Sequence, residues 1–131
     1  MAGLQEVTQE SLVRRVGQVA RLPDVAAHAT LVAVLAELGG ALTWGEAQNL
    51  AERLPSPLAA GIRARALEPG VSRYSPETFV RLVSEDLDVP VEEGRRRTRS
   101  VLEALRDELH AERFHALVEE LPAFTPLLAD R

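Results

Sequence analysis

The 131-residue sequence is 46% hydrophobic and 27% charged, values typical of a single globular domain. Its formal net charge of -5 disfavours nonspecific binding to nucleic acid. Because it contains no cysteine and no lysine, disulfides, thiol catalysis, Schiff-base chemistry and a P-loop lysine are excluded.

The first residues do not predict a secretory signal peptide. Met1–Glu6 has neither the basic segment nor the apolar segment of a secretory signal peptide. No apolar run approaches the roughly 20 residues that a membrane-spanning helix needs. We therefore expect a cytoplasmic protein that does not associate with a membrane.

The first half of the chain predicts four helices, because apolar residues recur there at helical spacing. Thr8 is a candidate N-cap for the first helix, and Thr43 begins a Thr-x-x-Glu capping box before the third. Ser56 and Pro57 form a cap and a first-turn proline before the fourth. The predicted helices cover about Gln9–Ala20, Asp24–Leu42, Thr43–Leu54 and Leu58–Ala66.

A connector of about residues 67–74, which contains the turn dipeptide Pro69-Gly70, precedes the second half. The same apolar spacing predicts three further helices, over about Pro76–Leu87, Pro90–Leu109 and Ala111–Leu121. No segment sustains an alternation of apolar and polar residues, so we predict no strand.

The two halves are copies of each other. Residues 8–55 align without a gap to residues 75–122 at an offset of 67, and 13 of these 48 pairs are identical. The clearest repeat is Leu50–Pro55, which returns as Leu117–Pro122. Two repeats are fewer than a solenoid needs, so the copies are expected to share one core. The sequence thus predicts an all-α, single-domain protein, a compact helical bundle of two tandem three-to-four-helix repeats related by a pseudo-two-fold axis.

Candidate metal ligands cluster near the end of the chain, at Asp107, His110, Glu112 and His115. An acid-x-x-His spacing occurs twice, and carboxylate-bridged di-iron bundles use that spacing on two separate helices. Here both instances fall within nine residues, across an expected helix break, and neither matches HExxH. The pattern favours surface histidines at a helix junction, so we predict no metal and no cofactor. The alternative is a metal-binding or small-molecule enzyme built on this cluster.

Four arginines, Arg95, Arg96, Arg97 and Arg99, form a segment that we term the arginine run. Opposite charges four residues apart predict the ion pairs Glu92–Arg96, Glu93–Arg97 and Arg99–Glu103. This spacing favours a solvated, salt-bridged helix face. The alternative is a docking patch for an acidic protein or a phosphate-bearing partner. The aligned residues of the first copy, His28–Val32, contain no arginine, so the run belongs to one half only.

The single tryptophan, Trp44, follows a predicted N-cap, where packing against a neighbouring helix is typical and a partly exposed binding hot spot is the alternative. An acid and a base four residues apart occur in both copies, as Glu10 with Arg14 and as Glu77 with Arg81, which indicates ion pairs that stabilise a helix. No serine lies at a readable spacing from a histidine–acid pair, and no GxSxG, phosphate-binding loop or dinucleotide motif occurs. We therefore predict no catalytic residue.

With the repeat written out, the chain resembles a bacterial and archaeal family known as domain of unknown function 2267 (DUF2267). The resemblance covers about Thr8–Leu128 and rests on an ordered set of segments in each half. The segments are Ser11–Val16, Ala29–Leu35, Glu46–Ala47 and Leu54–Pro55, then Ser75–Val83, Val101–Leu102 and Leu121–Pro122. The resemblance implies a small, all-helical, duplicated protein and brings no established activity or catalytic residue. The chain departs from the family at Glu112-Arg113, where the family tends to keep Gly-Glu.

These features favour a non-enzymatic protein-interaction or scaffold module whose partner is another protein or a second copy of the chain. The arginine run and Trp44 are the candidate partner-binding residues. The first alternative is the enzyme built on the histidine cluster. The second is a weak nucleic-acid or phosphate-ligand binder that uses the arginine run, which the acidic net charge and the scarcity of aromatic residues disfavour.

Overall fold

The computed structural model describes residues 8–41, 44–52, 54–66 and 76–108. Within these ranges the chain forms six α-helices and no strand, so the prediction of an all-helical fold is confirmed. The helices are α1 Gln9–Ala20, α2 Asp24–Ala41, α3 Trp44–Ala51, α4 Ser56–Ala66, α5 Pro76–Leu87 and α6 Val91–Glu108. The connector at residues 67–74 and the predicted helix Ala111–Leu121 lie outside the described residues.

Thr8 caps α1 as the sequence predicts. Its Oγ1 atom accepts a hydrogen bond from the Ser11 backbone N–H at 3.0 Å, and the Ser11 hydroxyl oxygen accepts one from the Thr8 N–H at 3.1 Å. These reciprocal bonds satisfy amides that have no partner inside the first turn. At the other end, Arg21 has a left-handed backbone (φ 59°) and its N–H bonds to the Gly17 carbonyl, which ends the helix before α2.

The junction between α5 and α6 repeats the α1–α2 junction at an offset of 67 residues. Asp88, like its counterpart in the first junction, is left-handed, with φ 56°. A backbone N–H then bonds to a helix carbonyl at 3.0 Å in each junction, Leu22 to Gly17 and Val89 to Ser84. The helix bounds shift by the same 67 residues. The two junctions therefore share a left-handed residue and one backbone hydrogen bond at the same offset.

Three helix boundaries within the described residues differ from the prediction, and the smallest difference is at α6, which begins at Val91 and not at Pro90. α3 ends at Ala51 and not at Leu54, because Leu54 precedes Pro55 and the residue before a proline is disfavoured in the α conformation. α4 begins at Ser56 and not at Leu58, so Ser56 lies inside the helix. The Pro55 carbonyl accepts the first helical hydrogen bond of α4, from the Ala59 N–H at 2.9 Å.

α2 is the central helix of the described chain, and it packs against α1, α4, α5 and α6. One hydrophobic core contains residues of both copies. Its largest fully buried apolar side chains are Phe79, Leu12, Leu31, Leu35, Leu38, Ile62 and Leu105. Burial of one such side chain contributes about 1.5–3 kcal/mol, so a core of this composition holds the helices together by packing.

α2 crosses α4 at a glycine. A Cβ atom on Gly39 would clash with the Ile62 carbonyl oxygen and would lie 3.0 Å from the Ile62 Cα. Only a residue without a side chain lets the two backbones approach this closely. Glycine at position 39 is therefore a packing requirement.

The α1–α2 and α5–α6 crossings each contain one glycine and one other small residue, in opposite order. In the first, Gly17 of α1 faces Ala27 of α2, whose Cβ would lie 3.7 Å from a Cβ on the glycine. In the second, the glycine is Gly94 of α6, and a Cβ there would lie 2.7 Å from the Cβ of Ser84 in α5. The small side chain comes from the second helix in one copy and from the first helix in the other.

No helix in the described ranges is by itself both long enough and apolar enough to cross a membrane. α1 and the part of α2 up to Gly40 reach that length and hydropathy only together, and they are bent by 103° at their junction. The hydropathy comes mostly from α2, whose only charged residues are Asp24 and Glu37.

Candidate functional site

The arginine run lies on α6, where two of its members bond to one carboxylate. Arg96 holds Glu93 at two points, Nε to Oε1 at 2.9 Å and Nη2 to Oε2 at 2.6 Å. Arg97 donates from its Nε to the Glu93 Oε2 at 2.7 Å. Hydrogen bonds in which both groups are charged, and above all two-point contacts of this kind, are among the strongest in proteins.

The same two arginines reach the first copy. The Arg96 Nη1 donates to the carbonyl oxygen of Ala20, the last residue of α1, at 2.6 Å. The last carbonyls of a helix lack partners within it and lie at the negative end of its dipole, so a cation suits this place. The Arg97 Nη1 donates to the hydroxyl of Thr30, which is fully buried in α2, at 3.3 Å. Glu93, Arg96, Arg97, Ala20 and Thr30 form the Glu93 network, which ties α6 to α1 and α2.

The two guanidinium groups fix the charge of Glu93. Hydrogen bonds from Arg96 and then from Arg97 lower the pKa of Glu93 from 4.5 to about 2, against a smaller opposing effect of burial. The carboxylate in turn raises the pKa of Arg96. The Glu93 network is therefore fully charged at neutral pH, and it starts to lose its carboxylate charge only well below pH 4.5.

The ion pairs predicted for the arginine run are formed in part. Glu93–Arg97 is confirmed, at 2.7 Å. In the part of the chain that the structure describes, Arg96 pairs with Glu93 and not with Glu92, so that prediction is wrong. The physical reason is the second contact of Arg96, because the guanidinium that reaches the Ala20 carbonyl presents its other edge to Glu93.

The run offers less free surface than the spacing suggests. The Arg97 side chain is only 16% exposed, and Arg95 is half-buried. Arg99 is also half-buried and is engaged with another group. A docking role for the arginine run stays a prediction. Within the chain, Arg96 and Arg97 link α6 to α1 and α2.

The acid–base pairs repeated in the first helix of each copy are absent from the described residues. Arg81 pairs with Glu85 at 3.4 Å instead of with Glu77. Glu10 and Arg14 form no ion pair there. Exposed pairs of this kind contribute little to stability, so the spacing alone does not force them to form.

The metal-ligand candidates fall mostly outside the described residues, where His110, Glu112 and His115 lie. Asp107 is described, is exposed near the end of α6 and lies 3.9 Å from the Arg106 Nε. Across the described ranges, no group of three or more histidine, aspartate or glutamate side chains is placed to hold a metal ion. The histidine cluster therefore stays a prediction from the sequence.

Trp44, the other candidate for partner binding, is the first residue of α3 and is 47% exposed.

Three buried hydroxyls of the helices donate to carbonyls of their own helix, which is how such groups are usually satisfied. These bonds are Ser84 to Arg81 at 2.8 Å, Thr98 to Gly94 at 2.8 Å and Ser100 to Arg96 at 2.9 Å. None of the three is aimed at an imidazole.

The outer face of α2 is the stripe Val25, His28, Ala29, Val32 and Ala36, which recur at helical spacing. Val25 is 85% exposed and Val32 is 42% exposed. His28 and Ala29 are exposed, Ala36 is half-buried, and none of the five carries a permanent charge. Single exposed apolar residues are ordinary, but two exposed valines on an uncharged helix face are a candidate contact surface.

The same face of α6 has the opposite chemistry. The equivalent residues at the offset of 67 are Glu92, Arg95, Arg96, Arg99 and Glu103. All five carry charge, and each is exposed or half-buried. The aligned positions of α6 therefore carry charged side chains on a helix, so helix formation alone does not require the uncharged outer face of α2.

A groove of about 540 Å³ lies beside the outer face of α2, where α1 and α2 run next to each other. It is lined by Gln9, Glu10, Val13, Arg14, Asp24, Val25 and His28. The Gln9 and His28 side chains are in contact, with 3.2 Å between their Nε2 atoms. Glu10, Arg14 and Asp24 are exposed and form no ion pair with any described residue. The groove thus joins apolar surface to unpaired charges of both signs.

The model of a family described as an uncharacterized conserved protein, DUF2267, matches residues 9–126, most of the chain. The chain belongs to the DUF2267 family. The resemblance predicted from the sequence is therefore confirmed. No curated protein matches this DUF2267 chain.

Two features of this DUF2267 chain have no counterpart among the sequence predictions. The first is the outer face of α2, which the uncharged run between Asp24 and Glu37 could have indicated in the sequence. The second is Glu37 itself, which is fully buried and is engaged with another group. A single acid in an otherwise apolar stretch of the sequence could have indicated that Glu37 is buried.

Proposed function

We propose that this DUF2267 protein is a non-enzymatic interaction module that binds a protein partner through the outer face of α2. The main support is the contrast between α2 and α6, because equivalent helix positions are uncharged in one copy and charged in the other. A partner that covers the stripe would explain why α2 keeps valine where α6 has glutamate and arginine.

The size of the stripe sets the strength of such an interaction. Full burial of a valine side chain contributes about 1.5–3 kcal/mol, and Val25 is almost wholly available for it while Val32 offers less. The stripe alone therefore supplies a few kcal/mol, which association costs would largely offset. A functional contact also has to use the groove beside the stripe.

The proposal includes a pseudo-two-fold axis between the two copies. Reciprocal contacts support it, since α1 packs on α6 as α5 packs on α2, and the equivalent helices α2 and α6 also touch. The Arg97–Thr30 bond joins two positions that are 67 residues apart, which is the behaviour of equivalent positions beside a two-fold axis. In this arrangement the outer faces of α2 and α6 are equivalent surfaces, one for each copy.

The test compares two Val→Glu substitutions. Val25→Glu places a charge in the outer face of α2, where the equivalent residue of α6 is already Glu92. Val91→Glu is the matched control on α6, where Val91 is 44% exposed and the equivalent residue of α2 is Asp24. Both changes add an acid to the first turn of a helix, which favours stability by about 0.3–1 kcal/mol. Neither variant should unfold.

The measurement is affinity capture of each tagged variant from native cell lysate treated with nuclease, followed by mass spectrometry. We expect the wild type and Val91→Glu to retain the same near-stoichiometric protein, and Val25→Glu to lose it. A partner retained equally by all three would place the contact elsewhere and refute the assignment to α2. Recovery of bait alone, with no self-association of differently tagged copies, would refute the interaction module itself.

A further inference from the structure

We infer that the outer face of α2 binds the same face of a second copy of this chain, in a two-fold symmetric dimer. This inference rests on the proposed function and specifies the occupant of the surface. In a two-fold dimer one patch meets itself, so every feature must find its complement within the same patch. The outer face meets this condition, because its exposed valines can enter the groove that Val25 and His28 help to line in the other copy.

The charges around the groove are also self-complementary. Arg14 is a base without an ion-pair partner among the described residues, and the acids Glu10 and Asp24 also lack one there. Glu10 and Arg14 have the i,i+4 spacing of a helix pair and still remain apart. When two such patches face each other, Arg14 of each copy can pair with an acid of the other, and the symmetry forms that pairing twice.

The centre of the patch is compatible with pairing to itself for a different reason. Its five residues carry no permanent charge, so like charges do not meet when two stripes face each other. The equivalent face of α6 presents two acids and three arginines in fixed order and has no apolar side chain to bury. Of the two equivalent faces, α2 is the one that suits self-association.

The dimensions predict a weak dimer. Val25 to Ala36 spans 12 residues, or about 17 Å of helix. A strip of that length and about 10 Å wide has an area of roughly 170 Å², far below the roughly 800 Å² per partner of a standard interface. The groove and the charged residues of α1 must add to it. We therefore expect a dissociation constant in the micromolar range, with monomer and dimer both populated in solution.

Sedimentation equilibrium of the purified protein over about 1–200 µM tests the inference, since that range brackets a micromolar dissociation constant. The wild type and Val91→Glu should pass from monomer to dimer as the concentration rises, and Val25→Glu should remain monomeric. A wild type that is monomeric throughout overturns the inference. A dimer that Val25→Glu does not weaken also overturns it.

A charge-swap mixture tests the pairing of Arg14. Arg14→Glu alone makes the charged residues of the patch all acidic, and the double variant Glu10→Arg/Asp24→Arg makes them all basic. We expect each variant to be monomeric when alone and the equimolar mixture to form a heterodimer at least as readily as the wild type dimerises. A mixture that stays monomeric, with both variants folded by circular dichroism, contradicts the pairing of the two patches.

The failure of the dimer and the failure of the proposed function give different results. If the purified protein is monomeric but lysate capture returns a different protein that only Val25→Glu loses, the dimer is wrong and the interaction module stands. If capture and sedimentation are both insensitive to Val25→Glu, the outer face of α2 is not a binding surface and both proposals are wrong.

Discussion

Gly94→Ala tests how tightly α5 and α6 cross. The added Cβ would lie 2.7 Å from the Ser84 Cβ and 3.3 Å from the Val80 carbonyl oxygen. Ordinary carbon–carbon contacts are about 3.5–4.0 Å, so the helices must separate or distort. Overpacking of this kind costs roughly 2–3 kcal/mol, while removal of a helical glycine gains about 1 kcal/mol. We expect the free energy of unfolding to fall by about 1–2 kcal/mol.

A control and a rescue accompany this variant. Gly61→Ala in α4 is the control, because a Cβ there meets no atom within 4 Å, and it should raise the stability by about 1 kcal/mol. Combining Ser84→Gly with Gly94→Ala moves the glycine from α6 to α5, the order that Gly17 and Ala27 have in the first crossing. The double variant should recover most of the loss, with a coupling energy of about 1 kcal/mol or more between the two sites.

Urea denaturation followed by circular dichroism measures five proteins: the wild type, the single variants Gly94→Ala, Gly61→Ala and Ser84→Gly, and the double variant. The slope of each transition checks that the protein unfolds as the same cooperative unit. If Gly94→Ala is as stabilising as Gly61→Ala, the crossing is looser than the structure shows. If the effects of Ser84→Gly and Gly94→Ala simply add, the loss does not come from the contact between these two residues.

Three further predictions use the same measurement. Gly39→Ala should cost about 3 kcal/mol or more, because the clash is with the Ile62 backbone, which cannot rotate away; a loss no larger than that of Gly94→Ala would contradict this close approach. Glu93→Gln should remove about 1–2 kcal/mol at neutral pH after allowance for solvent screening. Since the folded pKa of Glu93 is lowered to about 2, this contribution is complete above pH 4.5 and is lost as the pH falls from 4.5 towards 2, so the two proteins should converge in acid, and a constant difference would refute the assignment. Trp44→Ala should cost less than about 1 kcal/mol because nearly half of Trp44 faces solvent, and a loss of 3 kcal/mol would show a buried role.

Helix positions follow from the sequence where the signals are local. The bounds of α1 and α5 agree with the prediction, because a cap such as Thr8 and a proline at the start of a helix act within one turn. α3 ends three residues early for an equally local reason, the effect of Pro55 on Leu54. The repeat offset of 67 then applies to helix bounds and to the left-handed residue of each junction.

The helix crossings could not be predicted from the aligned copies. Position by position, Gly17 aligns with Ser84 and Ala27 aligns with Gly94, so neither pair is identical. What the two crossings share is one glycine and one other small residue on different helices, and this pairing becomes visible only when the helices are in contact. Sequence identity therefore understates the likeness of the two junctions.

The candidate site divides in the same way. Glu93–Arg97 is predictable because both residues lie on one helix, whereas the Arg96 contact with Ala20 joins residues 76 apart in sequence. The outer face of α2 was hidden for a different reason. α2 has apolar residues on all of its faces. Helical spacing therefore identifies the residues that face the core, but it does not show which of the remaining apolar residues are covered by a neighbouring helix.

The most direct test of the central claim is the accessibility of position 25 in the native protein. The chain has no cysteine, so Val25→Cys and Val91→Cys each introduce a single thiol at an exposed site. In dilute purified protein both should react readily with a maleimide. In concentrated protein or native lysate, Val25→Cys should be protected several-fold while Val91→Cys is not. Equal reactivity of the two thiols under all these conditions would contradict the claim that a partner covers the outer face of α2.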